Sequence, residues 1–216
     1  METKQGSVLG RKFIAVNGGS AEELEAHLRS ERFTPMTSHD LMLAILDSIK
    51  TGRHYEFWSN TSFFTADRID YGEKSLYLGH IVLQSNIGKN YQNGKQSIVF
   101  GDSLDKQFLL THLARGDTKL LEEYRQAMHE ERRKFLRQYV QERVDKMNIE
   151  VMSVHTPSSY QTNDGVHYIH MHGAPGSSDI FAYTLTGTVF WFAGVSNGAL
   201  KDSSLEERTA LLTQTK

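Results

Sequence analysis

Cysteine is absent from the 216 residues. Disulfides, thiolate nucleophiles, cysteine-ligated zinc and iron–sulfur clusters are thereby excluded. The absence leaves the compartment open, since a cysteine-free chain suits reducing and oxidising surroundings alike. An excess of either charge is also lacking: 24 basic residues stand against 26 acidic ones, for a net charge of -2. Without a global basic field, composition speaks against nucleic acid or an anionic membrane as partner. No apolar run is long enough to span a bilayer, so no integral membrane segment is expected. The opening Met1-Glu2-Thr3-Lys4-Gln5-Gly6-Ser7 lacks the apolar core of a signal peptide. The expectation is a soluble protein, cytoplasmic at synthesis, with secretion by a route without a cleaved signal left open. Phosphate-cradling glycine motifs of the P-loop and dinucleotide kinds are missing, and His129-Glu130-Glu131 lacks the second histidine of a metalloprotease helix.

What is present suits a globular domain. Apolar residues make up 38% and charged residues 23%, outside the range of disordered chains. Repeats, low-complexity linkers and a clear boundary are lacking, so residues 1–216 are read as a single domain. Ser7–Val16 reads as a strand. Ser20 and Glu23 form a capping box that opens a helix to about Ser30. Ser38 caps a second helix, in which Leu41, Ile45 and Ile49 recur every four residues up to Gly52.

The period then changes to two. Tyr55–Trp58 is expected to be a strand. Ser62–Asp70 and Lys74–Ser85 are expected to form a hairpin, whose second arm is apolar on both faces and therefore central. Ser97–Phe100 is a short strand. A helix follows from Ser103 or Asp105, and Asp117 caps the longest one. Its apolar stripe runs from Leu121 through Tyr124, Met128 and Leu136 to Met147. The run Glu130–Lys134 on it reads as a solvated, mixed-sign face. Ile149–His155 and Val166–His172 are strands. Ile180–Leu185 and Thr188–Val195 form an aromatic hairpin, and Ser204 caps a terminal helix. Strands in runs, not alternating with helices, point to an α+β fold. Its mainly antiparallel β-sheet packs with several helices, including one long helix over about 117–147.

The densest titratable stretch is Asn163–Gly173, which carries His167, His170 and His172. On an extended strand Tyr168, His170 and His172 share one face, while His167, Ile169 and Met171 take the other. Two imidazoles on one face can serve proton transfer or present nitrogens to a divalent metal ion, the one cofactor the sequence suggests. A third metal ligand would come from His155 at the end of the preceding strand, or from Asp179 folded back by the intervening loop. The alternative is that these histidines are hydrogen-bonded members of a half-buried strand.

A second constellation lies apart from it. Phe100-Gly101-Asp102-Ser103-Leu104 follows a strand and precedes a helix, and Asp164-Gly165-Val166-His167 follows later in the chain. The first resembles the nucleophile block of the GDSL (SGNH) esterases and the second their D-x-x-H block. The resemblance implies that Ser103 attacks a carbonyl, His167 takes its proton and Asp164 orients the imidazole. The plainer reading is a helix cap at Ser103 and a turn at Asp164-Gly165.

Three functional readings follow. The first is an enzyme or a small-ligand or metal-binding protein with a histidine-lined site on the C-terminal sheet. The second is a non-catalytic interaction protein, such as a secreted effector, inhibitor or assembly factor, docking a protein partner. The third is the GDSL-like esterase. Asn60-Thr61-Ser62 also fits a glycosylation sequon, which matters only in a eukaryotic secretory context.

Overall fold

The computed structural model describes residues 1–70, 75–78, 81–85, 97–100, 106–140, 144, 147–155, 166–173, 179–181 and 190–196. In chain order these form β1 (Glu2–Val8), β2 (Arg11–Asn17), α1 (Ala21–Ser30), β3 (Phe33–Pro35), α2 (Ser38–Thr51), α3 (Tyr55–Ser59) and β4 (Ser62–Asp70). There follow β5 (Ser75–Leu78), β6 (Ile81–Ser85), β7 (Ser97–Phe100), α4 (Lys106–Leu113) and α5 (Thr118–Arg137). The last elements among the described residues are β8 (Val154–His155), β9 (Val166–His172), β10 (Ile180–Phe181) and β11 (Trp191–Ser196). The fold is α+β. The strands join in one mixed sheet that is mostly antiparallel; β8–β10, β4–β11 and β6–β7 pair in parallel. No helix among the described residues is long and apolar enough to cross a membrane.

The main path runs β1-β2-β11-β4-β9-β10-β8. A ribbon of β5, β6 and β7 branches from the far half of β4. A register shift in β4 between Phe64 and Arg68 makes the fork. Phe63 and Phe64 pair with β11, whereas Arg68–Asp70 pair with β5; both halves hold β9 on the other side. Met36 closes the gap: its N–H donates to Ala193 and its carbonyl accepts from Ala66, each at 2.8 Å. Within the bulge the buried Asp67 carboxylate accepts from the Ser38 N–H at 2.7 Å and from Arg115 at 3.0 Å. It thus satisfies an orphan donor at the N-terminus of α2 and ties the α4–α5 turn to the sheet.

Alternation along each strand divides the apolar residues between two cores. Ile14, Val16, Phe192 and Tyr168 meet Leu24 and Leu28 of α1 on one face. Phe13, Ala15, Ala193, Phe63, Ile169 and Met171 meet α2, α4 and α5 on the other. Leu24 and Leu28 are fully buried and each contributes about 1.5–3 kcal/mol through area removed from water. Gly194 lets α1 sit close, because a Cβ there would lie 3.3 Å from Leu28 Cδ2.

Several boundaries differ from the sequence expectation. Ser7–Val16 is not one strand: β1 and β2 form a hairpin about Leu9-Gly10, with φ of 53° and 70°. Positive φ at both positions is what a two-residue hairpin turn of this twist requires, and leucine hides the signal because it seldom adopts it. The Ser20–Glu23 capping box is formed. In α2 the cap is Thr37, boxed with Asp40, and not Ser38. Tyr55–Trp58 lies in helix α3 instead of a strand. His54, at φ 52°, turns the chain, and its carbonyl accepts from Phe57 and Trp58. That turn places Trp58 in the core against Phe13 and Phe63.

Lys74–Ser85 contains two antiparallel strands, β5 and β6, and the side chains said to be apolar on both faces lie outside the described residues. The long helix ends at Arg137, ten residues short of Met147. Its buried face stops at Glu131, and Tyr139, Val140 and Met147 are exposed, although Val144 beyond the helix is buried. Glu131 also departs from the solvated run predicted around it. It is buried, accepts from the Tyr55 hydroxyl, and pairs with Lys134 at 2.6 Å. Burial, and then the bond to Glu131, push the Tyr55 phenol up to about 12. Of Ile149–His155 only Val154–His155 is strand. The aromatic hairpin is not a pair: β10 lies between β8 and β9, and β11 between β2 and β3/β4. Residues 182–189, the Ser204 helix and the loop at 86–94 lie outside the described residues.

Candidate functional site

The α1 face of the sheet carries the histidines in two successive rows. In the inner row His170 of β9 pairs with Phe64 of β4 on one side and Phe181 of β10 on the other. His170 is fully buried. Its ring meets Phe64 edge-on at 4.7 Å between centroids and Phe190 at 4.5 Å. The aromatic rings of Phe64 and Phe190 lie against it.

The outer row is polar. Ser62, at the start of β4, pairs with His172, at the end of β9, and Ser62 Oγ lies 3.1 Å from His172 Nδ1. On the other side the Asp179 carbonyl accepts the His172 N–H at 3.0 Å, one step beyond the Ile180–Met171 pair. Ser62 and His172 therefore stand side by side on adjacent strands, and Asp179, just before β10, follows on the far side of His172. Each is half-buried, whereas His170 in the row behind is fully buried. The His172 ring rests edge-on to Phe190 at 5.9 Å. Gly173 fixes where β9 ends. Its N–H donates to the Thr61 carbonyl, and a Cβ there would lie 2.3 Å from the Trp58 carbonyl oxygen.

Further along the same face Tyr168 is locked to α1. Its hydroxyl donates to Glu25 at 2.7 Å. Glu25 also takes Arg29 at 2.6 Å and the guanidinium of Arg68, which lies over the Tyr168 ring at 4.5 Å. Burial raises the Glu25 carboxyl, but hydrogen bonds from Tyr168 and Arg29 with the charges of Arg68 and Arg29 outweigh it, and the net shift is downward. Burial, and then Glu25, push the Tyr168 phenol upward.

The predicted site residues are thus dispersed. His170 and His172 do share a face with Tyr168, in different surroundings. His155 stands in β8 opposite Phe181, whose other neighbour is His170. Two strand spacings, roughly 10 Å between Cα atoms, separate the two histidines. His167 stands opposite Ile69. The side chains of His155 and His167 lie outside the described residues, as do Ser103 and Asp164 entirely. Among the described residues no three His, Asp or Glu side chains are arranged to hold a metal ion. An ion at His172 and Asp179 would need further donors from beyond them. Ser62 was not foreseen. It lies 110 positions from His172, and nothing in a single sequence links the two. No protein-family model, no curated protein sequence and no solved structure matches the chain.

Proposed function

We propose that this protein binds a small polar molecule at the Ser62–His172–Asp179 row and exchanges protons with it through His172. The observation that carries the reading is the cross-strand contact of Ser62 Oγ with His172 Nδ1 at 3.1 Å in a half-buried position. An imidazole titrates near neutral pH, and a hydroxyl beside it can donate to or accept from a ligand. The rings of Phe64, His170 and Phe190 behind it supply an aromatic wall, the usual surroundings of a small-molecule site. The test is a thermal-shift screen of small carboxylates, esters and amides against the wild type, Ser62→Ala and His172→Gln. Compounds that raise the melting temperature of the wild type alone support the site. Compounds that act equally on all three place binding elsewhere.

A second reading, a non-catalytic interaction protein, draws on the segment after α5. Tyr139 and Met147 are 71% and 45% exposed, and the Tyr139 ring lies tilted against Phe135 with centroids 5.2 Å apart. Large exposed apolar side chains close together in the chain suit contact with a protein partner. If that is their role, Tyr139→Ser leaves the melting temperature unchanged and removes association seen by light scattering.

A further inference from the structure

We infer that Ser62 is an activated nucleophile for acyl electrophiles; the inference rests on the ligand site proposed above. A serine hydroxyl is a poor nucleophile until a base lies within hydrogen-bond reach to take its proton. His172 Nδ1 lies 3.1 Å from Ser62 Oγ. In the tautomer that carries its hydrogen on Nε2, Nδ1 accepts the Ser62 O–H. Neighbours directly across an antiparallel ladder share a face, so Asp179 stands beside His172 opposite Ser62. We assign Asp179 a positioning role toward the imidazolium that forms. Strands β4 and β9 hold Ser62 and His172, Asp179 immediately precedes β10, and the Gly173–Trp58 approach fixes the end of β9 against α3.

The step balances with water as the second reactant. Ser62 Oγ bonds to the acyl carbon of an ester while its proton passes to His172 Nδ1. The carbon–oxygen bond to the alcohol then breaks, and the alcohol leaves with that proton. Water attacks the acyl-serine, gives its proton to His172, and releases the carboxylic acid with Ser62 restored.

A fluorophosphonate probe tests the first half, since it phosphonylates an activated serine and expels fluoride. The expected result is one adduct on the folded full chain, mapped by mass spectrometry to Ser62 and absent from Ser62→Ala. His172→Gln should slow labelling by ~100-fold or more, the range a general base supplies. Asp179→Asn should shift the pH profile of labelling, and Asp179→Glu should restore it. An unlabelled Ser62 in folded wild type overturns the inference without any variant. If thermal-shift ligands still depend on His172 in that case, the binding site stands and only the nucleophile falls. If neither is seen, both fall.

Discussion

The Tyr168 hydroxyl donates to a Glu25 carboxylate oxygen at 2.7 Å, joining the histidine-bearing strand to the helix that covers it. Tyr168→Phe removes this bond and leaves Glu25 with its two arginines. A hydrogen bond to a charged group is worth about 1.5–3 kcal/mol, and a loss in the lower half of that range is expected in urea melts. Because the Glu25 carboxyl is shifted down, its contribution is complete above the ordinary carboxylate value of 4.5 and is lost as pH falls through the lowered folded value. The stability gap between wild type and Glu25→Gln should therefore narrow on acidification below that point. A gap that stays constant from neutral pH down to acid unfolding would contradict this account of the cluster.

Asp67 should behave in the opposite sense. Burial raises its carboxyl above the ordinary 3.8, and the Arg115 charge and the Ser38 hydrogen bond only partly offset this. A raised folded value means stability fully present below the unfolded value and lost as pH rises through the folded one. Asp67→Asn cannot ionise, so it should gain on the wild type across that window. Asp67→Ala keeps neither the Ser38 nor the Arg115 contact and should cost about 2–3 kcal/mol, discounted because Arg115 is a quarter exposed. Urea melts of the three proteins over a pH series measure both effects.

Local signals carried the helices well. The capping box at Ser20 and Glu23, the cap at Asp117 and the left-handed Gly52 each stand where their residue types place them. Period-two alternation placed β9 and sorted Tyr168 and His170 from Ile169 and Met171. Long-range pairing was not legible. The partners of β11, the parallel seam between β4 and β11, and the Ser62–His172 contact depend on which strands lie side by side. Hydrophobic period does not encode that order. Tyr55–Trp58 misled because aromatic residues favour strands, whereas a positive φ at His54 commits them to a helix. The histidine cluster was visible, but its division into a buried His170 and a half-buried His172 needed the neighbouring strands.

Glycine at 173 is required by a backbone contact. A Cβ there would sit 2.3 Å from the Trp58 carbonyl oxygen and 3.1 Å from Ile45 Cδ1. A carbonyl cannot rotate away as a side chain can, so β9 or α3 must shift. Gly173→Ala should cost about 2–3 kcal/mol, toward the upper end for overpacking. It should also slow fluorophosphonate labelling of Ser62, because the end of β9 that carries His172 moves. Gly52→Ala is the control. It meets open space at φ 72° and should cost about 1–2 kcal/mol from left-handed strain, with labelling unchanged. Equal labelling in the two variants would mean that Gly173 does not set the geometry of the row.

His170 separates a structural histidine from a chemical one. Its ring is fully buried against Phe64 and Phe190. Truncation to alanine opens a cavity among those rings and should cost about 3–4 kcal/mol, in the range for a buried ring. Phenylalanine keeps the ring and gives up both nitrogens. If packing is what His170 provides, His170→Phe recovers most of that stability in urea melts and leaves Ser62 labelling at the wild-type rate. If the imidazole takes part in proton exchange or metal binding, His170→Phe folds but loses the activity of the outer row. The contrast between alanine and phenylalanine is decisive because phenylalanine keeps a planar aromatic ring at this position and lacks both nitrogens.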